Sequence, residues 1–208
     1  MSPTPSAIEA YDRQAPPQES TETATFALGC FWGPDARFGA LDGVVRTRVG
    51  YAGGTTADPT YHDLGDHTEA FQVDYDPEQR SFQSLLGLAF RGHDHTRQPA
   101  TTQYQHIVFA STAAQADVIA SYLDARGLTR EGIATRVERL SGFHPAEAYH
   151  QKHSLRGRQS ILQAFEQAGY DDVDLRESPA AAKLNGYAAG RDLPEGHDLG
   201  ASTDRTVH

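Results

Sequence analysis

The chain's 208 residues suit one domain with a substantial core and additional length at its ends. A formal charge of −10 argues against a general nucleic-acid or membrane-surface binder. The single cysteine excludes an intramolecular disulfide and a cysteine-rich zinc site, and no apolar run reaches the ~20 residues that span a bilayer. Met1-Ser2-Pro3-Thr4-Pro5 carries no basic region followed by an apolar core, so the expected compartment is the cytoplasm.

Residues 1–20, rich in Pro, Ser, Thr, Gln and Glu with little to bury, read as a flexible arm. The β-branched and apolar run Thr23 to Leu28 predicts a strand, and Pro34 to Leu41 predicts a helix with Pro34 and Asp35 in its first turn. Between them, Gly29-Cys30-Phe31-Trp32-Gly33 holds the only cysteine and the only tryptophan. A thiol at that junction meets the positive end of a helix dipole and unpaired backbone N–H groups, which favour the thiolate. Local features alone leave a second reading open, a buried small hydrophobe.

Gly43 to Tyr51 reads as a second strand, followed by a long loop over 52–66 of the kind that often carries function. Thr68 to Tyr75 alternates like a half-buried strand, and Asp76-Pro77 turns the chain into a helix over Ser81 to Phe90. Gln105 to Ala110 predicts a strand, Ser111 to about Arg126 a helix, and Thr135 to Leu140 another strand. Glu147 to about Ala168 reads as helical with an interruption at Gly157, and Gly169 is a stop signal. Several links are too short for helical crossovers, so an α+β domain with a mixed, largely antiparallel sheet is expected. The expected organisation is an arm over 1–20, one domain over 21–178, and an extended Gly-, Asp- and Ala-rich tail over 179–208.

Gly29-Cys30-Phe31-Trp32-Gly33 resembles the active-site motif of the A-type peptide methionine sulfoxide reductases, which act on the S epimer. Val49 to Gly54, Asp58 to Tyr61, Gly65 to Ala70, Val73 to Pro77, Thr102 to Tyr104 and Ala146 to Gln151 follow in that family's order. The similarity spans roughly residues 22–160. It implies a two-layer, ferredoxin-like sandwich with terminal extensions, and a catalytic domain over 21–178.

Reducing a sulfoxide requires a soft nucleophile at sulfur and a proton donor at oxygen. Cys30 is the only nucleophile of that softness in the chain. A carboxyl can serve as donor if burial keeps it protonated, and Glu69 matches the family's catalytic acid. Tyr61 and Tyr104 match two tyrosines that hold the sulfoxide oxygen in the family, as oxyanion-hole donors do. Phe31 and Trp32 match the apolar cage for the substrate methyl group, and His150 reads as a residue supporting that pocket. His93-Asp94-His95 and His150-Gln151-Lys152-His153 lack a ligand set with convincing spacing, and the family uses no metal, so none is expected.

The chain departs from the family in two ways. Arg97-Gln98-Pro99-Ala100-Thr101 lacks an acid that usually precedes the Thr-Gln-Tyr step and lines the substrate pocket. Ala148 also stands for the usual Asp before Tyr-His, and Asp35 for the usual Glu after the first motif. Secondly, no resolving cysteine exists, so a Cys30 sulfenic acid requires an external thiol. Thioredoxin, glutaredoxin or a low-molecular-weight thiol would supply it, with no bound cofactor. The expected partners are methionine sulfoxide or oxidised proteins, not nucleic acid or membrane. Two rival readings remain at this level: a degenerate relative acting as redox sensor or oxidised-peptide binder, and a reductase of another small sulfoxide.

Overall fold

A computed structural model describes residues 3–194, 196 and 199. Among these, six strands form one sheet: β1 Glu22–Leu28, β2 Val44–Ala52, β3 Thr68–Tyr75, β4 His106–Ala110, β5 Arg136–Arg139 and β6 Phe143–Pro145. Their order is β5-β4-β1-β3-β2-β6. Every neighbouring pair is antiparallel except β4 and β5, which are joined by the helix α4 (Ala113–Asp124). The α+β class and the mixed, largely antiparallel sheet agree with the sequence reading.

Alternation assigns the two faces of the sheet. Ala24 and Phe26 on β1, and Phe71, Val73 and Tyr75 on β3, join one large core under α2 (Trp32–Gly39), α3 (Phe82–Phe90) and α4. Ala27, Ala70, Ile107 and Phe109 face the opposite side in a smaller cluster. The period of two puts Glu69 on the same face as Phe71, which is why an acidic residue ends up buried at the start of β3. α3 and α4 begin with side-chain caps, Ser81 accepting from the Ser84 amide and Thr112 from the Gln115 amide.

Both ends of the chain differ from expectation. The arm expected over 1–20 contains helix α1 (Pro5–Gln14), capped by Thr4 and with Ile8 fully buried. The extended tail expected over 179–208 contains helix α8 (Pro179–Ala188), capped by Ser178; residues 201–208 lie outside the described residues. Both helices start on a Ser/Thr cap followed by Pro in the first position. α1 and α8 share an apolar cluster with α5 (His153–Arg156), α6 (Gln159–Gln167) and α7 (Asp172–Glu177), built on Ile8, Leu155, Ile161, Phe165, Leu175 and Leu184. The Asp12 carboxylate ties the ends together by accepting from the Ala180 amide and the Tyr170 hydroxyl.

The alanines and glycines that made residues 179–188 look featureless are what let α8 lie close on α2. A Cβ on Gly39 would stand 2.5 Å from the Ala182 carbonyl oxygen, and one on Gly186 would stand 2.7 Å from that of Ala36. The helical stretch expected over 147–168 is also divided. A 3-10 turn at Ala148–His150 leads to Lys152 in the left-handed region (φ 53°), and only then do α5 and α6 follow. The cause is burial of the Lys152 side chain, whose Nζ donates to the Thr47 and Arg176 carbonyls. Lys183 is likewise buried, donating to the Gly39, Leu41 and Val44 carbonyls between the end of α2 and the start of β2. The chain's only two lysines are therefore internal braces. The three-residue edge strand β6 had no sequence signal of its own.

Candidate active site

β1 ends at Leu28, and Gly29 turns the chain with a φ of +80° that L side chains rarely adopt. Cys30 follows in an exposed position, separated only by Phe31 from Trp32, which opens α2. Burial by the surrounding wall pushes its thiol up; the Trp32 amide, donating to the sulfur, pulls it down, and the Glu69 charge pushes it up again. The balance is upward. The expectation of a thiolate stabilised by the helix end is thus corrected: one backbone amide does not offset desolvation plus a neighbouring carboxylate.

Glu69 is 1% exposed. Its Oε2 accepts from the Phe31 amide at 3.0 Å and its Oε1 from the Gln103 side chain at 2.8 Å. Burial raises its pKa, and these two donors hold it back without reversing the direction. The result is a carboxyl that retains its proton to higher pH than a free one, within electrostatic reach of the thiol.

The partly buried Tyr104 sits at the end of the turn Thr102–Tyr104, which Thr68 anchors to β3 by donating to the Thr102 carbonyl. Its phenol is pushed up by desolvation, by the Glu69 charge, by interaction with the Tyr61 hydroxyl and by Cys30. Cys30, Glu69, Tyr61 and Tyr104 therefore converge on one locality. Tyr61 comes from the long loop between β2 and β3. Asp66 organises that loop by accepting from the amides and hydroxyls of both Thr55 and Thr56, which holds its carboxyl far below the usual range.

The wall beside the sulfur is aromatic. Phe31 is buried, with its ring 5.3 Å from His150 and 6.1 Å from Tyr51. His150 is also buried, with ring centroids 4.6 Å from Tyr61 and 5.7 Å from Trp32. Burial pushes His150 down, toward the neutral imidazole. Trp32 is half-buried and stacks flat on His153, with centroids 3.7 Å apart and planes 4° from parallel. The other paired histidines do structural work: His93 bonds the Ala89 carbonyl and Thr135 hydroxyl and packs on the His106 ring. Among the described residues, no group of three His, Cys, Asp or Glu is arranged to hold a metal.

Three contributors escaped the sequence reading although each lies in or beside a motif. Gln103 is the immediate partner of the Glu69 carboxyl. Glu147 accepts from the Tyr51 hydroxyl at 2.7 Å and from the Tyr61 amide at 2.9 Å, so it fixes the backbone that presents Tyr61. His153 covers one face of Trp32. Position within the motif blocks was the available signal, but only the folded chain shows what each side chain touches.

This locality pairs a nucleophile with a buried acid, two phenols and an aromatic wall, which suits reduction at a polarised sulfur. A model of the family "peptide methionine sulfoxide reductase" matches residues 22–178. The chain is 42% identical over 171 residues to a peptide methionine sulfoxide reductase of Drosophila melanogaster, covering 81% of this chain and 68% of that one. It is 38% identical over 177 residues to peptide methionine sulfoxide reductase A5 of Oryza sativa subsp. japonica, covering 82% and 69%. The solved methionine sulfoxide reductase A of Corynebacterium diphtheriae aligns with a TM-score of 0.57 at 33% identity, over 68% of this chain and 77% of that one. Reduced Mxr1 of Saccharomyces cerevisiae aligns at 0.58 and 28% identity, over 70% and 90%. The chain belongs to the peptide methionine sulfoxide reductase family.

Proposed function

We propose that this protein reduces the S-sulfoxide of methionine, free or within proteins, to methionine at the expense of an external thiol. The observation that carries the reading is the environment of Glu69: a carboxyl 1% exposed, with a raised pKa, within electrostatic reach of the only thiol. The Cys30 sulfur attacks the sulfoxide sulfur while Glu69 delivers a proton to the departing oxygen. Tyr61 and Tyr104 donate hydrogen bonds to that oxygen as negative charge builds on it. Phe31 and Trp32 receive the methyl group, with His150 supporting them from below. The protonated oxygen departs as water; a water molecule then attacks the Cys30 sulfur and breaks the new S–S bond, so that methionine leaves and Cys30 remains as a sulfenic acid.

One external thiol then forms a mixed disulfide with Cys30 and releases water, and a second thiol displaces it, restoring the free thiol. Since Cys30 is exposed and the chain holds no second cysteine, thioredoxin, glutaredoxin or a low-molecular-weight thiol can reach it. A single cysteine fits a reducing compartment, and the cytoplasm is the location proposed. Among the described residues, no helix is long and apolar enough to cross a membrane.

Single-turnover release tests the reading. Reduced protein mixed with excess S-sulfoxide of N-acetylmethionine should yield about one methionine product per Cys30, with loss of the thiol titre. The R epimer and Cys30→Ser should yield none. Absence of release from the S epimer by protein with a reactive thiol would refute the proposal.

A further inference from the structure

We propose that His153 is a positioning residue for the substrate cage: its imidazole clamps one face of Trp32 and thereby sets how large an S-alkyl group the cage accepts. The inference rests on the functional reading above, in which Trp32 lines the methyl site. Trp32 is the first residue of α2, half-buried, and its other ring contacts are loose and inclined: Phe31 at 6.5 Å and 39°, His150 at 5.7 Å and 37°. Only His153 meets the indole flat, at 3.7 Å and 4°. The indole Nε1 is buried without a hydrogen-bond partner among the described residues, so no polar contact orients the ring. Stacking is the one specific contact left to do so.

The backbone leading into the clamp is anchored. His153 lies two positions after Gln151, whose side chain accepts from the Val49 amide and donates to the Val49 and Ala146 carbonyls. It also follows Lys152, fully buried and bonded to Thr47 and Arg176. Two consecutive residues, Gln151 and Lys152, therefore tie the backbone that carries His153 to β2, and its exposed imidazole covers the indole. With one indole face occupied, the rest of the ring is what remains to be offered to substrate. A ring held this way cannot tilt outward to admit an additional methylene, which is a discrimination typically worth 10–200-fold in apolar sites.

The test uses the full chain with dithiothreitol as reductant and the S-sulfoxides of N-acetylmethionine and N-acetylethionine. Wild type is compared with His153→Ala, which removes the stack, and His153→Phe, which retains a flat ring. Because Trp32 is the only tryptophan, its time-resolved fluorescence anisotropy reports indole motion in the substrate-free protein. In His153→Ala, KM for the methionine compound should rise roughly fivefold with kcat held within about twofold, the size of effect a lost aromatic stack produces. The methionine-over-ethionine preference should fall by a similar factor, and the fast component of the anisotropy decay should grow. His153→Phe should restore all three. Wild-type KM, preference and anisotropy in His153→Ala would overturn the inference, as would His153→Phe behaving like the alanine variant. If wild type turns over neither compound, the functional reading falls and this inference with it; that outcome is recognised because the anisotropy comparison reports the stack without substrate.

Discussion

Replacing Glu147 with alanine removes the carboxylate that ties Tyr51 on β2 to the loop carrying Tyr61. In the native protein the Tyr51 hydroxyl donates to Oε2 at 2.7 Å and the Tyr61 amide to Oε1 at 2.9 Å. Tyr51 is fully buried, so Glu147→Ala strands its hydroxyl, at about 1–3 kcal/mol. The Tyr61 amide has more access to water, and its loss costs about 0.5–1.5 kcal/mol. Because the Glu147 side chain is 32% exposed, solvent screening holds the total toward the lower end, about 2–3 kcal/mol. Tyr51→Phe alone removes both the need and the bond. The double variant should therefore be more stable than the sum of the single effects predicts, by about 1–2 kcal/mol.

Urea unfolding of the two single variants and the double variant at pH 7 measures this coupling. Additivity within about 0.3 kcal/mol would refute the bridge as an energetic link. The pH dependence carries a sign as well. Burial pushes the Glu147 carboxyl up, but the Tyr61 amide, the Tyr51 hydroxyl and His150 outweigh it, so its folded pKa lies below the ordinary value. The contribution is then fully present above the unfolded carboxylate value of ~4.3 and fades as pH falls through the folded value. Methionine release should slow in Glu147→Ala because the backbone presenting Tyr61 loses its tie.

Three further outcomes are expected. Glu69→Gln removes the proton donor, so sulfoxide reduction should slow, and it removes the charge that pushes the Cys30 thiol up once Glu69 has ionised, so alkylation by iodoacetamide on the alkaline side of that ionisation should become faster; slower alkylation there would contradict the coupling. Gln103→Leu deletes a donor that stabilises ionised Glu69, so the limb of the pH–rate profile that reports loss of the acid's proton should move to higher pH, and an unmoved or lowered limb would count against Glu69 as donor. Burial pushes the Lys183 ammonium down to about 7 from 10.5. Between those values the unfolded chain binds the additional proton, so this group makes stability rise with pH across that window. Lys183→Met should be destabilised by the loss of the three carbonyl contacts and should lack that rise in urea titrations at pH 7, 8.5 and 10.

Much of the proposed catalytic layout was readable from residue order because it is carried by local patterns. The strand ending before Gly29 and the helix following Cys30 place the thiol at a junction, whereas Glu69, which by itself reads equally as an exposed strand residue, is picked out only by its match to the family's acid. The motif blocks then select Tyr61 and Tyr104 from nine tyrosines. What the tertiary structure decided depends on contacts between residues far apart in the chain. Desolvation and the Glu69 charge, 39 positions away, raise the thiol that a helix terminus alone would lower. Glu147 meets Tyr61 across 86 positions, and His153 meets Trp32 across a still longer span. The segments 5–14 and 179–188 looked unstructured because their small and polar residues bury little by themselves; they become helices because α2, the Asp12 tie and a shared apolar cluster give them a surface to complete.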